Sequence, residues 1–294
     1  MTPRTHVYLS PAKINWFLHI TGRRADGYHT LETVFQRIDW CDKIDISVHA
    51  EGEIRLTDSI CSIPNEQNLI LKAAQALKRH AHEIGHNVDS LGSNIHLQKN
   101  IPMGAGLGGG SSNAATTLLA LNELWQLNID NASLQNIGLA LGADVPFFVS
   151  PYSGALARGV GEELTPLDLP KRDLLLVKPN VHADTRSVYQ HELLIRNHAP
   201  LTQSSAELQN QLAQLQANSK LTNDMQPAAF AIAPEIEQVH SSLCAAVPNA
   251  YVRMSGSGAT IFACPRNDVE LEALKVWQAQ CPEQWVSRWC ETLA

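Results

Sequence analysis

Ile101 to Thr116 reads IPMGAGLGGGSSNAAT, with five glycines between Met103 and Ser111. Each glycine loses more backbone entropy on folding than any other residue, so a loop this rich in them needs a shape or an approach that side chains would block. Good helix formers follow at once. Main-chain amides gathered in a glycine-rich turn before a helix N-terminus make an anion site, because those donors lack helical partners and the helix dipole favours negative charge. Lys99 through Asn122 contains no Asp or Glu. Helices usually put a carboxylate in the first turn, so this one leaves that place open to an external anion. A plain flexible connector, with Ser111 or Ser112 as an ordinary N-cap, is the competing explanation.

Two familiar phosphate loops fit poorly. Gly104, Gly106 and Gly109 satisfy G-x-G-x-x-G. The dinucleotide version needs a doubly buried strand before it, whereas Asn94 to Ile101 alternates and ends at Pro102. No Gly-Lys-Ser/Thr is present, so the loop brings no lysine of its own. A cation for a polyphosphate must come from Lys99, Lys13 or a metal.

The surrounding pattern mixes strands and helices without regular alternation, which predicts an α+β fold. Strands are expected at Val7–Ile20, Thr33–Ile38, Asp45–Val48, Glu53–Leu56, Asn94–Ile101, Leu174–Val177, Tyr251–Met254 and Thr260–Ala263, with one more at the C-terminus. Helices are expected at Asn68–Ile84, Asn113–Leu127, Asn131–Leu141, Thr185–Leu194, Ala206–Ala217, Asp224–Ala246 and Val269–Gln280. A length of 294 residues suggests two domains, and TPLDLPKR supplies the boundary: 1–165 and 166–294. The net charge of -7, with signs interspersed, offers no footprint for nucleic acid or an anionic membrane. Pro11, Lys13 and Asn15 interrupt the N-terminal apolar stretch, and no run reaches membrane-spanning length. Cys41, Cys61, Cys244, Cys264, Cys281 and Cys290 form no Cys-x-x-Cys pair and read as reduced thiols. A cytoplasmic protein is expected.

Read as chemistry, Asp144 follows a helical segment and sits among Val145, Phe147 and Phe148, with Pro146 expected to keep Val145 out of α geometry. Burial raises a carboxylate's pKa and a nearby ammonium lowers it again. Lys13, a lone charge in PAKINWFL, could be that ammonium. Helix-terminal turn chemistry for Asp144 and a snorkelling strand-edge charge for Lys13 are the plainer alternatives. His82-Glu83-Ile84-Gly85-His86 matches H-E-x-x-H, but Gly85 and Asn87 suggest that the helix ends there, so the two histidines would not share a face.

PMGAGLGGGSSNAA resembles the phosphate loop of the GHMP small-molecule kinases, and RMSGSGAT at Arg253–Thr260 is similar to their third glycine-rich motif. PAKINWFLHITGRRADGYHTLETVFQ (Pro11–Gln36) and GADVPFF (Gly142–Phe148) resemble, within that superfamily, the kinases of 4-diphosphocytidyl-2-C-methyl-D-erythritol. This resemblance implies the two-domain GHMP fold: a nucleotide domain like domain 2 of ribosomal protein S5, then a ferredoxin-like domain. It implies transfer of phosphate from ATP, with Mg2+, to the 2-hydroxyl of CDP-methylerythritol in the non-mevalonate route to isoprenoid precursors. The partner is thus a small molecule, with no nucleic acid, membrane or oligomeric state implied. Asp144 would be the base and Lys13 its activating partner. Pro102, Met103, Gly104, Ala105, Gly106, Leu107, Gly108, Gly109, Gly110, Ser111 and Ser112 would hold ATP, with Asn68 and Asn113 on the adenine side. Asn15, Tyr28, His29, Lys99 and Tyr189 would meet the substrate, its cytosine stacked by aromatics. No acidic metal ligand is assigned; a hydroxyl of Ser111 or Ser112 could assist the metal. Trp16 stands where the family pattern has a small aliphatic residue, and DTRSVY departs from its commoner Thr-Ala form. Another GHMP alcohol kinase and a non-catalytic nucleotide-binding module are the alternatives.

Overall fold

A computed structural model describes residues 4–58, 67–215 and 219–294. In chain order the elements are β1 (His6–Arg23), β2 (His29–His49), β3 (Ile54–Asp58), α1 (Leu69–Glu83), β4 (Gly92–Gln98), α2 (Gly109–Leu124), α3 (Asn131–Leu139), α4 (Val145–Val149), β5 (Gly154–Arg158) and β6 (Glu163–Pro166). There follow β7 (Asp173–Lys178), α5 (Thr185–Gln190), α6 (Ser205–Gln214), α7 (Gln226–Ile232), α8 (Pro234–Ala246), β8 (Tyr251–Met254), β9 (Ile261–Cys264), α9 (Asp268–Ala279) and β10 (Val286–Glu291).

The chain forms two compact units, each assembled from separate segments. One comprises Met1–Ala12, Trp40–Met103 and Gly108–Tyr152. In it the second half of β2 runs antiparallel to β4, pairing Ile44 with Leu97 and Ile46 with Ile95, and β3 adds to β4 in parallel. Helices α1 to α4 belong to this unit. Asn68 caps α1 by accepting from the Ile70 amide, and Ile70, Ala73, Ala74, Leu77 and Ala81 make its buried face. The side of α2 that carries Ala114, Ala115, Leu118 and Leu121 is buried, its alanines letting α1 pack closely.

The other unit comprises Lys13–Asp39, Gly104–Leu107 and Ser153–Ala294. Here the first half of β2 pairs antiparallel with β5, and β5 with β6. A four-stranded antiparallel sheet has the order β10-β7-β9-β8. With α8 before β8 and α9 before β10, the path β7-α8-β8-β9-α9-β10 is a split β-α-β arrangement, the ferredoxin-like topology. Leu175, Val177, Ile236, Val239, Leu243, Val252, Ile261 and Leu274 interlock in its core.

Several sequence expectations need correction. Pro146 does not keep Val145 out of a helix: α4 begins at Val145, and the proline takes a first-turn position where its missing N–H costs nothing. The strand expected to reach Ile101 stops at Gln98, and α2 starts at Gly109 instead of Asn113. The long helix expected over Asp224–Ala246 is two, broken at Ala233 (φ -138°, ψ 87°), the residue that Pro234 disfavours in helical geometry. Thr185–Leu194 is helical only to Gln190. Cys244, Cys264, Cys281 and Cys290 carry free thiols, while Cys61 lies outside the described residues.

Candidate active site

Gly104, Gly106 and Gly108 all take left-handed φ (60°, 73° and 69°), while Ala105 and Leu107 between them are buried. A side chain at Gly106 is excluded twice, by its φ and because a Cβ would stand 2.1 Å from the Ser255 carbonyl oxygen. Gly108 is the N-cap of α2, so no side chain caps this helix, and its first turn holds no acidic residue. Ser112 is the first residue whose amide returns to the Gly108 carbonyl. The amides before it lack intrahelical acceptors, which suits a bound anion. Ser112 is buried and accepts a hydrogen bond from the Ser10 hydroxyl, whereas Ser111 is partly exposed. Of the two hydroxyls expected to assist a metal, Ser111 is therefore the accessible one.

The cation that the loop lacks is supplied beside it. Lys99 Nζ lies 2.9 Å from where a Cβ on Gly109 would be, at the first residue of α2. Lys99 pairs with Asp42, a fully buried carboxylate on β2 that sequence reasoning missed. Asp42 Oδ1 accepts from the amides of Asn100 (2.7 Å) and Ile101 (2.8 Å), and Oδ2 from Lys99 Nζ and Asn113 Nδ2 (2.9 Å). Burial holds the Lys99 ammonium below the usual lysine range, and Asp42 opposes that shift. Asn113 is interior to α2; its amide also donates to Ser10 Oγ (2.9 Å), so its side chain is no cap. Asn68 is one, through Ile70. The local sign of Asp42 is its alternation with Trp40, Ile44 and Ile46 in WCDKIDI, which puts an acid on the apolar face of β2.

In the other unit, Lys13 is buried and its Nζ donates to Asn15 Oδ1 (2.6 Å) and to the Gly106 carbonyl (3.2 Å), with the Phe35 ring 5.1 Å away. It is not a snorkelling edge charge. Asn15 Nδ2 donates to Thr33 Oγ1 (2.8 Å) and the Asn15 amide to Ser255 Oγ (3.3 Å). Ser255 Oγ donates to the Gly106 carbonyl (2.9 Å). The first glycine loop and the third glycine-rich motif thus share one carbonyl with the buried lysine. Strand alternation sends Trp16 the opposite way. Its indole donates to Gln36 Oε1 (2.8 Å) and packs against Tyr251 and Phe262, so the unusual tryptophan fills core space.

Tyr28 closes the Arg24–Tyr28 turn, its carbonyl accepting from the Arg24 amide (2.7 Å), and the residue is 66% exposed, so it does not pack in the core. His29 stacks on Tyr189, ring centroids 4.9 Å apart and planes 14° from parallel. Burial, then the charges of Arg23 and Arg196, lower the His29 pKa, and its Nε2 is buried with no hydrogen-bond partner. Asp144 is the partly buried N-cap residue of α4, and it makes no capping hydrogen bond through its side chain.

Two metal-like patterns are not zinc sites. α1 ends at Glu83, and Gly85 turns left-handed (φ 93°), leaving His82 within the helix and His86 beyond it. His19, His198 and Asp224 cluster among the described residues. The two imidazoles lie face to face, centroids 3.5 Å apart and 10° from parallel, so their in-plane lone pairs cannot converge on one ion.

Comparison with known proteins agrees with this geometry. A family model described as the GHMP kinases N terminal domain matches residues 68–151, and one described as GHMP kinases C terminal matches 194–283. A protein of Burkholderia mallei (strain SAVP1) named 4-diphosphocytidyl-2-C-methyl-D-erythritol kinase is 41% identical over 97% of this chain and 93% of its own. One of the same name from Paraburkholderia xenovorans (strain LB400) is 45% identical over 95% and 91%. A crystal structure of 4-(cytidine 5'-diphospho)-2C-methyl-D-erythritol kinase superposes with a TM-score of 0.78 at 30% identity, covering 98% of this chain and all of that one. A homoserine kinase from Cytophaga hutchinsonii shares the fold at a TM-score of 0.69 and 17% identity. The α+β architecture, the two matched domains and these full-length relatives place the chain in the 4-diphosphocytidyl-2-C-methyl-D-erythritol kinase family of the GHMP kinases.

Proposed function

We propose that this protein transfers the terminal phosphate of ATP to the 2-hydroxyl of 4-diphosphocytidyl-2-C-methyl-D-erythritol, a step toward isoprenoid precursors. The observation that carries the phosphoryl-transfer reading is the start of α2. It has a left-handed glycine N-cap, no acid in its first turn and a lysine ammonium against Gly109. A polyphosphate is the anion that suits amides, dipole and ammonium together. Loop residues 102–112 hold the ATP phosphates, with Asn68 and Asn113 toward the adenine. When bound, Mg2+ neutralises charge on the transferring phosphoryl group; the Ser111 hydroxyl is its protein-side partner.

The substrate follows from the relatives and from the ring cluster. An exposed Tyr28, the stacked His29–Tyr189 pair and a buried His29 Nε2 lacking a partner suit a pyrimidine, which stacks on faces and hydrogen-bonds along an edge. Asn15 holds the methylerythritol arm of the substrate, and Lys99, beside Gly109, the nucleotide phosphates. Asp144 takes the proton of the acceptor hydroxyl, and the Lys13 ammonium stabilises the negative charge of the reacting groups. In the sense of the family's domains, 1–165 binds nucleotide and 166–294 completes the enzyme.

Asp144→Asn tests the assignment of the base. ATP affinity, measured by calorimetry, should stay within about threefold, while turnover falls by about 100- to 10,000-fold, the usual worth of a positioned base. Equal turnover in wild type and variant would instead favour a nucleotide-binding module.

A further inference from the structure

The Asp42 carboxylate has no accessible surface, so it cannot touch a nucleotide. Yet it gathers four donors from two parts of one unit: the Lys99 ammonium with the Asn100 and Ile101 amides at the entry to the glycine loop, and the Asn113 amide on α2. A buried carboxylate survives only with such partners. Lys99 is the unusual one. Its ammonium stands beside Gly109, where the positive end of the α2 dipole repels a cation. Burial also disfavours its charged form. Asp42 is the anion behind the lysine that offsets both effects and keeps it aimed at the helix start.

From this geometry we infer that Asp42 is a positioning residue for ATP binding: it holds the Lys99 ammonium at the N-terminus of α2, where the polyphosphate is received. The inference rests on the nucleotide reading above. Asn113, through Ser10 to Ser112, ties the same carboxylate to the first turn of α2, so lysine and helix are set by one anchor.

Asp42→Asn keeps an oxygen for the Asn100 and Ile101 amides and removes the charge that holds Lys99. The test compares wild type, Asp42→Asn, Lys99→Met and the double variant, with calorimetric Kd for ATP and KM for both substrates. Asp42→Asn should weaken ATP binding about 10- to 100-fold, the range of one charge-assisted hydrogen bond, and leave KM for CDP-methylerythritol within about twofold. In the Lys99→Met background the same change should add less than about twofold, because its effect passes through the lysine. Unchanged ATP affinity in Asp42→Asn, or effects that multiply in the double variant, would overturn the inference.

A second measurement needs no Asp42 variant to fold. The 15N resonance of Lys99 Nζ in wild type, assigned by its loss in Lys99→Met, should shift on adding a non-hydrolysable ATP analogue. An unmoved resonance overturns the proposal. If the couplings hold while wild type phosphorylates no CDP-methylerythritol, the substrate assignment fails and the role of Asp42 stands. If wild type binds no ATP, both fall.

Discussion

Gly106→Ala probes the point where the first glycine loop, the third glycine motif and the buried lysine meet. A side chain at φ 73° costs about 1–2 kcal/mol in backbone conformation alone. The new Cβ would stand 2.1 Å from the Ser255 carbonyl oxygen and 2.9 Å from that of Gly258, so backbone must separate from backbone. Separation breaks the Ser255 hydrogen bond to the Gly106 carbonyl, worth about 1 kcal/mol, and that of Lys13, worth about 1.5–3 kcal/mol because it is charge-assisted. The expected loss is about 3.5–6 kcal/mol, a large part of the roughly 5–15 kcal/mol that holds a typical protein folded. Gly85→Ala is the control: its φ is 93° but nothing lies within 4 Å of the added carbon, so only about 1–2 kcal/mol is expected. Urea unfolding of the two variants, followed by tryptophan fluorescence, gives the comparison. Losses within about 0.5 kcal/mol of each other would refute the packing account, since conformation alone would then explain both.

The Tyr251 hydroxyl is fully buried and placed between the carbonyls of Trp16 and Leu221. Arg253 still serves Leu221, so Tyr251→Phe removes the hydroxyl's hydrogen bond to the Trp16 carbonyl; the urea midpoint should fall by the equivalent of about 0.5–1.5 kcal/mol with KM values unchanged. Burial, then the charge of His198, lowers the His19 pKa to about 4. The unfolded chain therefore binds this proton first, and stability that is complete above pH 6.5 drains away as pH falls toward 4. Burial pushes the Asp224 pKa up, which works in the opposite direction, so the difference between wild type and His19→Gln isolates the histidine. Unfolding measured from pH 7 to 4 should have a shallower slope in His19→Gln, and equal slopes would contradict the assignment. Lys99→Glu should raise KM for ATP more than Lys99→Met does, since it puts an acid where the polyphosphate is received, and steady-state kinetics check the order.

Much of the site was legible because its signals are local. The glycine spacing, the missing acids from Lys99 to Asn122 and the apolar stripe of α1 each need only a short window. The left-handed glycines and the uncapped α2 are what such a window implies. Alternation puts Asp42 on the apolar face of Trp40, Ile44 and Ile46, but its role stayed hidden because its donors come from 57 to 71 residues away. The core role of Trp16 was hidden too: alternation separates it from Lys13 and Asn15, but only the fold shows that Gln36, Tyr251 and Phe262 surround it. β5, with the sequence GALAR, has little strand-forming composition and exists because the first half of β2 offers it a partner. In the same way, the proline that seemed to bar a helix at Val145 opens one, because only context distinguishes a first turn from an interior.

Offering ATP and Mg2+ with CDP-methylerythritol, homoserine, mevalonate and galactose in parallel, and locating the new phosphate by 31P NMR, is the most direct measurement. The expected spectrum has a single new phosphomonoester, on the 2-hydroxyl of the cytidine-linked compound. A phosphomonoester on one of the other alcohols, with the cytidine-linked compound left intact, would contradict the assignment.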